Sequence, residues 1–318
     1  MSDTKDLIKA IQLLQKESVV AMPTETVYGL AGNIYSQKAI RSIFELKNRP
    51  MYNPLIVHLK SYTELEKVAA NIPDKARLLA ETFWPGPLTL VLKKQDNISD
   101  LITAGKDTVA VRVPNHPVAL ALLNQLDFPL AAPSANPFGS ISPTTAAHVA
   151  NYFDSNLVHV LDGGACSQGI ESTIVGFEED QAVLYRAGAT SIAAIEALVG
   201  PLKIFTKDDA APIAPGMLSK HYAPSTSTIF SEDVEKTLAT ITEKRVGVVS
   251  FCKEYNHPAI HYQKKLSSNG SLEEAANRLY ATLHEMDAQP IDVIIVEKVP
   301  NEGIGVAIND KLLRASAV

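Results

Sequence analysis

The sequence predicts an α/β fold in two domains. Three observations predict it. The chain has 318 residues, enough for two hydrophobic cores. Short apolar runs bounded by Gly, Pro and Asn alternate with stretches of helical apolar spacing. Polar side chains gather where those runs end, above all over residues 108–145. Strand–helix–strand units with polar groups at strand ends are how α/β proteins present a site.

The first stretch, MSDTKDLIKAIQLLQKES, spaces Leu7, Ile8, Ile11 and Leu14 as one face of an amphipathic helix. A short apolar strand over 18–22 follows and stops at Pro23. Residues 23–30 then put Thr24, Glu25, Thr26 and Tyr28 just past a strand end, with Gly29 giving backbone freedom. A turn with capping groups accounts for any one of them. Ser36 is placed to cap a helix with Ile40, Ile43, Phe44 and Leu46 facing inward. That helix ends in Lys47-Asn48-Arg49-Pro50. Cations there either complement the helix dipole or grip an anion beside the strand over 55–59. Residues 61–83 read as two helices divided near Pro73. Trp84-Pro85-Gly86-Pro87 is a stiff turn anchored by the tryptophan, followed by a strand over 88–92 and a polar loop over 93–107.

Strand alternation over 108–113 places Thr108, Ala110 and Arg112 on one face. A charge inside an apolar strand needs a partner. For Arg112 that partner is either an internal carboxylate or a substrate. A helix follows from His116-Pro117 to about Leu126, then a strand over 129–132. Ser134, Asn136, Ser142 and Thr144 crowd the next turn, where Ser142 with Pro143 predicts a helix start that also attracts anions. Strands are expected over 157–161, 169–175 and 182–188, the last carrying Arg186 near its end. Ser191 caps a helix that stops at Gly200. Periodicity then lapses. We read residues 1–205 as one domain, 206–228 as a linker and 229–318 as a small strand–helix–strand domain. In that last part a strand over 245–251, a capping box at Ser271 and Glu274, a strand over 291–296 and a terminal helix are expected.

A net charge of −6 supplies no global basic field for nucleic acid, although a local basic cleft stays open. Cys166 and Cys252 are too few and too far apart for a disulfide framework, which favours a reducing compartment. No run is long enough to span a membrane, and the N-terminal helix lacks a signal peptide's apolar core, so a cytoplasmic location without a membrane partner is expected. No Gly-rich phosphate loop, metal-ligand spacing or Gly-x-Ser-x-Gly elbow occurs, and Cys166 reads as a small loop residue. Two clusters of cations and several hydroxyls remain. That inventory suits chemistry driven by positioning and charge stabilisation, such as nucleotidyl or phosphoryl transfer.

In order along the chain, PTETVYGLA, KNRPMYNPLIVH, WPGPLTLVL, VAVRVPNHP, APSANPFGSISPT, GIESTIV, YRAG and PGMLSKHYAP closely resemble the threonylcarbamoyl-AMP synthase family. The resemblance is to its long form, with a YrdC-like domain, a linker and a small C-terminal domain. It implies a twisted mixed open sheet with flanking helices, followed by a small Rossmann-like α/β domain. It implies a reaction of L-threonine, bicarbonate or CO2, and ATP with Mg2+, giving threonylcarbamoyl-AMP and pyrophosphate. The product would pass to the tRNA threonylcarbamoyl transferase machinery. By motif position, the resemblance implies Lys47, Arg49, Ser134 and Asn136 as catalytic residues. Thr26, His58, Arg112, Ala132 (through its backbone) and Ser172 would surround threonine, with Arg112 on its carboxylate. Arg49, Asn53, Thr108, Ser134, Ser142, Arg186 and Tyr222 would line the ATP side, with Tyr222 and the linker as a lid. No protein ligand for a metal is implied. Two alternatives stand beside this reading: an RNA-binding module using the same basic face, and a carbamoyl-transferring accessory domain.

Overall fold

A computed structural model describes residues 4–205, 215, 221–242 and 244–317. Most of the expected linker, 206–214 and 216–220, lies outside the described residues. Helix α1 (Thr4–Gln15) buries Ala10 and Leu14, with Leu7 and Ile11 packed beside them. Ile8 is 49% exposed. The i, i+3/i+4, i+7 stripe runs through 7, 10, 11 and 14, and Ile8 sits a sixth of a turn or more outside it, toward solvent.

The first domain continues through β1 (Val20–Met22), β2 (Gly29–Asn33), α2 (Gln37–Lys47), β3 (Ile56–His58), a 3-10 turn at Tyr62–Lys67 and α3 (Asp74–Phe83). Then come β4 (Leu88–Lys93), α4 (Asp100–Thr103), β5 (Thr108–Arg112), α5 (Pro117–Asn124), β6 (Leu130–Ala131) and α6 (Ala146–Ala150). It ends with β7 (His159–Val160), β8 (Thr173–Glu178), β9 (Gln181–Arg186), α7 (Ile192–Val199) and β10 (Lys203–Ile204). Ser36 and Ser191 cap α2 and α7 as expected, accepting from Ala39 N and Ala194 N.

Three local expectations are corrected. Ser142 caps no helix; Thr145 caps α6, accepting from His148 N. The Ser142 hydroxyl is fully buried and donates instead to Glu171 Oε1 at 2.7 Å. Gly29 is not a flexible turn residue but the first residue of β2, paired with Met22. A Cβ there would lie 3.1 Å from the Ala132 Cβ, so close approach is what it provides. The polar loop over 93–107 contains the short helix α4.

The ten strands form one sheet in the order β10-β9-β8-β4-β5-β3-β6-β2-β1-β7. It is mixed: β3 and β5 run parallel, as do β4 and β8, while β4–β5, β3–β6 and β8–β9 are antiparallel. The β3–β5 register sets His58 directly beside Arg112. The second domain holds β11 (Thr228–Ser231), α8 (Val234–Leu238), β12 (Val246–Ser250), β13 (Ile260–Lys265), α9 (Leu272–Asp287), β14 (Val293–Glu297) and α10 (Gly305–Ala315). Its four strands are all parallel, ordered β11-β14-β12-β13. Ser271 caps α9 by accepting from Glu274 N, but the Glu274 carboxylate turns back to Ser267 Oγ and Ser268 N, so only half of the capping box forms.

One apolar cluster joins the domains. Val27, Ile141, Ile170 and Tyr222 pack with Leu279, Tyr280 and Leu283 of α9. No helix among the described residues is long and apolar enough to cross a membrane.

Candidate functional site

The strand ends converge. Arg112 closes β5, His58 closes β3 and Arg186 closes β9. Ala132 and Ser134 follow β6, Ser172 precedes β8, and Thr26 lies in the turn between β1 and β2. Together with Arg49 and Tyr222, these residues line a single cavity. Lys47, Asn53 and Ser142 stand one hydrogen bond behind its wall, on Ser134 O, Arg49 and Glu171 respectively. Asn136 joins through Lys47. Thr108 stands at the other end of β5, about 13 Å from Arg112 at strand rise.

Arg112 has an internal partner. Its Nη2 meets Glu25 Oε1 at 2.6 Å and its Nη1 donates to Thr26 Oγ1 at 3.1 Å. Both ends of the pair are buried, with side chains 4% exposed. The resemblance left that pairing to the substrate; the fold supplies it from the Thr24–Val27 turn, where Thr24 Oγ1 accepts from Thr26 N and Val27 N. Arg112 Nε and Glu25 Oε2 are buried without a hydrogen-bond partner among the described residues. Capacity therefore remains at the guanidinium for a second anion.

Lys47 and Arg49 brace backbone. Lys47 Nζ donates to the carbonyls of Ser134 and Asn136, which fixes the Pro133–Asn136 turn. Arg49 Nη2 donates to Asn53 Oδ1 and Pro54 O, each at 2.7 Å, and its Nε to Asn53 O. Burial, with the Arg49 charge adding to it, holds the Lys47 ammonium well below its usual range. Asn136 donates to Pro137 O and Ser140 O and leaves Oδ1 without a partner among the described residues.

His58 Nδ1 faces Ile56 O at 3.2 Å. Burial and then the Arg112 charge push its imidazole down to about 3, so it is neutral at pH 7. Arg186 forks onto Ser172, with Nε and Nη2 on the carbonyl at 3.1 and 2.9 Å and Nη2 also on Oγ. Its Nη1 reaches Pro215 O at 3.1 Å, which ties the wall to the one described residue between 206 and 220. Tyr222 takes a left-handed backbone, φ 65°. It is buried beside His221 and Tyr280, and burial pushes its phenol upward.

Three side chains at the cavity or directly behind its wall escaped sequence reasoning as site residues: Glu25, Glu171 and His221. Glu171 lines the cavity, accepting from Ser142 Oγ and, at 2.7 Å, from Tyr280 Oη of the second domain. It sits at the head of the apolar strand β8, so the rule that flagged Arg112 could have flagged it. His221 also lines the cavity, and burial among cations holds it neutral.

Among the described residues, Arg49, Arg112 and Arg186 share the cavity lining with one carboxylate, Glu171. Among the described residues no group of three or more His, Cys, Asp or Glu side chains could hold a metal. Burial pushes the Cys166 thiol up to about 12, which leaves it a poor nucleophile. A cationic, hydroxyl-lined hollow at the strand ends of a mixed α/β sheet defines a protein that binds small anionic molecules in a largely desolvated pocket.

The comparisons with known proteins narrow that class. Residues 12–188 match a family model described as telomere recombination, and residues 190–317 match one described as threonylcarbamoyl-AMP synthase, C-terminal domain. The chain is 39% identical to the threonylcarbamoyl-AMP synthase of Bacillus subtilis (strain 168), over 98% of this chain and 92% of that one. It is 40% identical to that of Pyrococcus abyssi (strain GE5 / Orsay), over 96% and 93%. The crystal structure of P. abyssi Sua5 complexed with L-threonine superposes with a TM-score of 0.91, at 40% identity, covering 98% of this chain and 94% of that one. The chain belongs to the threonylcarbamoyl-AMP synthase family.

Proposed function

We propose that the protein condenses L-threonine, bicarbonate or CO2, and ATP to threonylcarbamoyl-AMP with release of pyrophosphate, acting as a nucleotidyltransferase. The threonine amine adds to CO2 and loses a proton to give a carbamate. A carbamate oxygen then attacks the α-phosphorus of ATP, forming a P–O bond as the bond to pyrophosphate breaks. The carbamate is itself the nucleophile, so no covalent enzyme intermediate is needed. The observation that carries the reading is the convergence of Arg49, Arg112 and Arg186 on one cavity, three guanidiniums of the kind that pair with a carboxylate and with phosphates.

In this reading Arg112 takes the threonine carboxylate with the capacity Glu25 leaves, while Thr26, His58, Ser172 and the Ala132 backbone enclose the rest. Arg49 and Ser134 hold the reacting phosphate, on a turn that Lys47 and Asn136 brace from behind the wall. Asn53, Thr108, Ser142, Arg186 and Tyr222 serve the ATP side. Mg2+ would enter with ATP and supply charge neutralisation there; with Glu25 on Arg112 and Glu171 on two hydroxyls, the chain's part is to offset charge. Residues 1–205 form the catalytic domain, 206–228 the linker and lid, and 229–318 the small domain. The enzyme works in the cytoplasm, and its product goes to the machinery that threonylcarbamoylates tRNA. A direct RNA-binding role is disfavoured: Lys47, Arg49, Arg112 and Arg186 are each 7% exposed or less, too deep to meet a phosphate backbone.

Mass spectrometry of the product from threonine, bicarbonate and ATP tests the reading. Threonylcarbamoyl-AMP is expected, with pyrophosphate release dependent on both threonine and bicarbonate. Release indifferent to threonine would overturn it.

A further inference from the structure

One chain of contacts from the second domain to the cavity runs through Tyr280. Tyr280, on α9, is fully buried, and its hydroxyl donates to Glu171 Oε2 at 2.7 Å. The other oxygen, Oε1, accepts from Ser142 Oγ, also at 2.7 Å. The next residue, Ser172, carries the carbonyl and hydroxyl that hold Arg186. A tyrosine of the small domain, the carboxylate of Glu171 and the guanidinium of Arg186 therefore stand in succession.

The neighbours of Tyr280 on the same helix face frame this contact. Asn277 donates to Cys166 O and Ser167 O at 3.1 and 2.8 Å. His284 Nε2 lies 3.2 Å from Ser142 O. Gly169 approaches so near that a Cβ on it would fall 2.1 Å from Asn277 O. Positions 277 and 280 are thus committed to the loop that carries Glu171, and 284 to Ser142, the other partner of that carboxylate. Lys311 of α10 adds a fourth tie, donating to Ala187 O at 2.9 Å.

We propose that Tyr280 is a positioning residue for the reaction: by fixing the Glu171 carboxylate at the wall, it keeps that charge off Arg186 and leaves the guanidinium for the triphosphate. The inference rests on the reading above for what the cavity binds. Its physical ground is the cost of a buried carboxylate oxygen without a donor. Deprived of the Tyr280 hydroxyl, Oε2 has a cation in the same cavity to turn to. An Arg186 neutralised from inside attracts ATP less.

Tyr280→Phe removes one hydroxyl and keeps the ring. We expect the ATP dissociation constant, read by calorimetry, and the KM for ATP to rise about tenfold, with the KM for threonine little moved. Adding Glu171→Gln should abolish that rise, because the charge that needed holding is gone. A rise shared equally by both substrates, no rise, or additive effects in the double variant would overturn the proposal. If Tyr280→Phe does not fold, Glu171→Gln alone decides: ATP binding as tight as wild type or tighter supports the proposal, and weaker binding refutes it. A wild-type chain that binds ATP but makes no threonylcarbamoyl-AMP would sink the reading of function, while the ATP affinities would still decide this inference.

Discussion

Arg112 is asked to do two things, and one pair of variants separates them. Its guanidinium neutralises Glu25 in a pair whose side chains are each 4% exposed. In the proposed reaction it also receives the threonine carboxylate. Arg112→Met strands the Glu25 charge, and breaking a buried pair from one side costs about 3–5 kcal/mol. Against a typical total of about 5–15 kcal/mol, that loss is large. Adding Glu25→Gln removes the stranded charge and should return stability to within about 1 kcal/mol of wild type. Threonine binding should not return with it, because the lost substrate contact is worth roughly 2 kcal/mol or more, about 30-fold in affinity. ATP affinity in the double variant should stay within about threefold of wild type. Urea denaturation gives the stabilities, and calorimetric titration with L-threonine and with ATP gives the affinities. If threonine affinity recovers together with stability, Arg112 serves only as the partner of Glu25, and the assignment fails.

Lys47→Met leaves the carbonyls of Ser134 and Asn136 without their donor; turnover should fall about 100-fold or more with threonine affinity nearly kept, and single-turnover kinetics would reveal it. Chelation of Mg2+ should stop pyrophosphate release but leave threonine binding by titration unchanged, whereas binding lost with the metal would put the metal in the threonine site. His284 stacks on His148 across the domain interface, ring centroids 3.9 Å apart. Burial, then the neighbouring His148, pushes the His284 imidazole down to about 4. The unfolded chain therefore binds a proton that the folded chain refuses between about pH 6.5 and 4, and stability is lost as pH falls through that window. The contribution is up to about 3 kcal/mol. A His284→Phe variant should show a shallower fall of Tm with acid, and an unchanged slope would remove His284 from the account.

What was legible in the sequence was local. Ser36 and Ser191 announced their helices because a cap needs only its own first turn. Arg112 stood out because a charge in an apolar strand is costly wherever the chain goes. Lys47 and Arg49 were found by residue type, yet apart from Asn53 Oδ1 their partners are backbone carbonyls, which no residue letter shows. Strand β2 was missed because Gly-Leu-Ala-Gly-Asn has no β-branched residue, and its place between β1 and β6 is decided by packing. Ser142 looked like a cap because Ser-Pro is a strong local start signal; a carboxylate 29 residues away took the hydroxyl instead. The Tyr280–Glu171 contact spans 109 residues and two domains, and no spacing rule reaches that far.

The most direct test of the central claim is a crystal structure with L-threonine and a non-hydrolysable ATP analogue bound together. The account places the threonine carboxylate on Arg112 and the triphosphate between Arg49 and Arg186, within the same cavity. Two ligands in separate cavities, or a nucleotide held by the small domain alone, would contradict it.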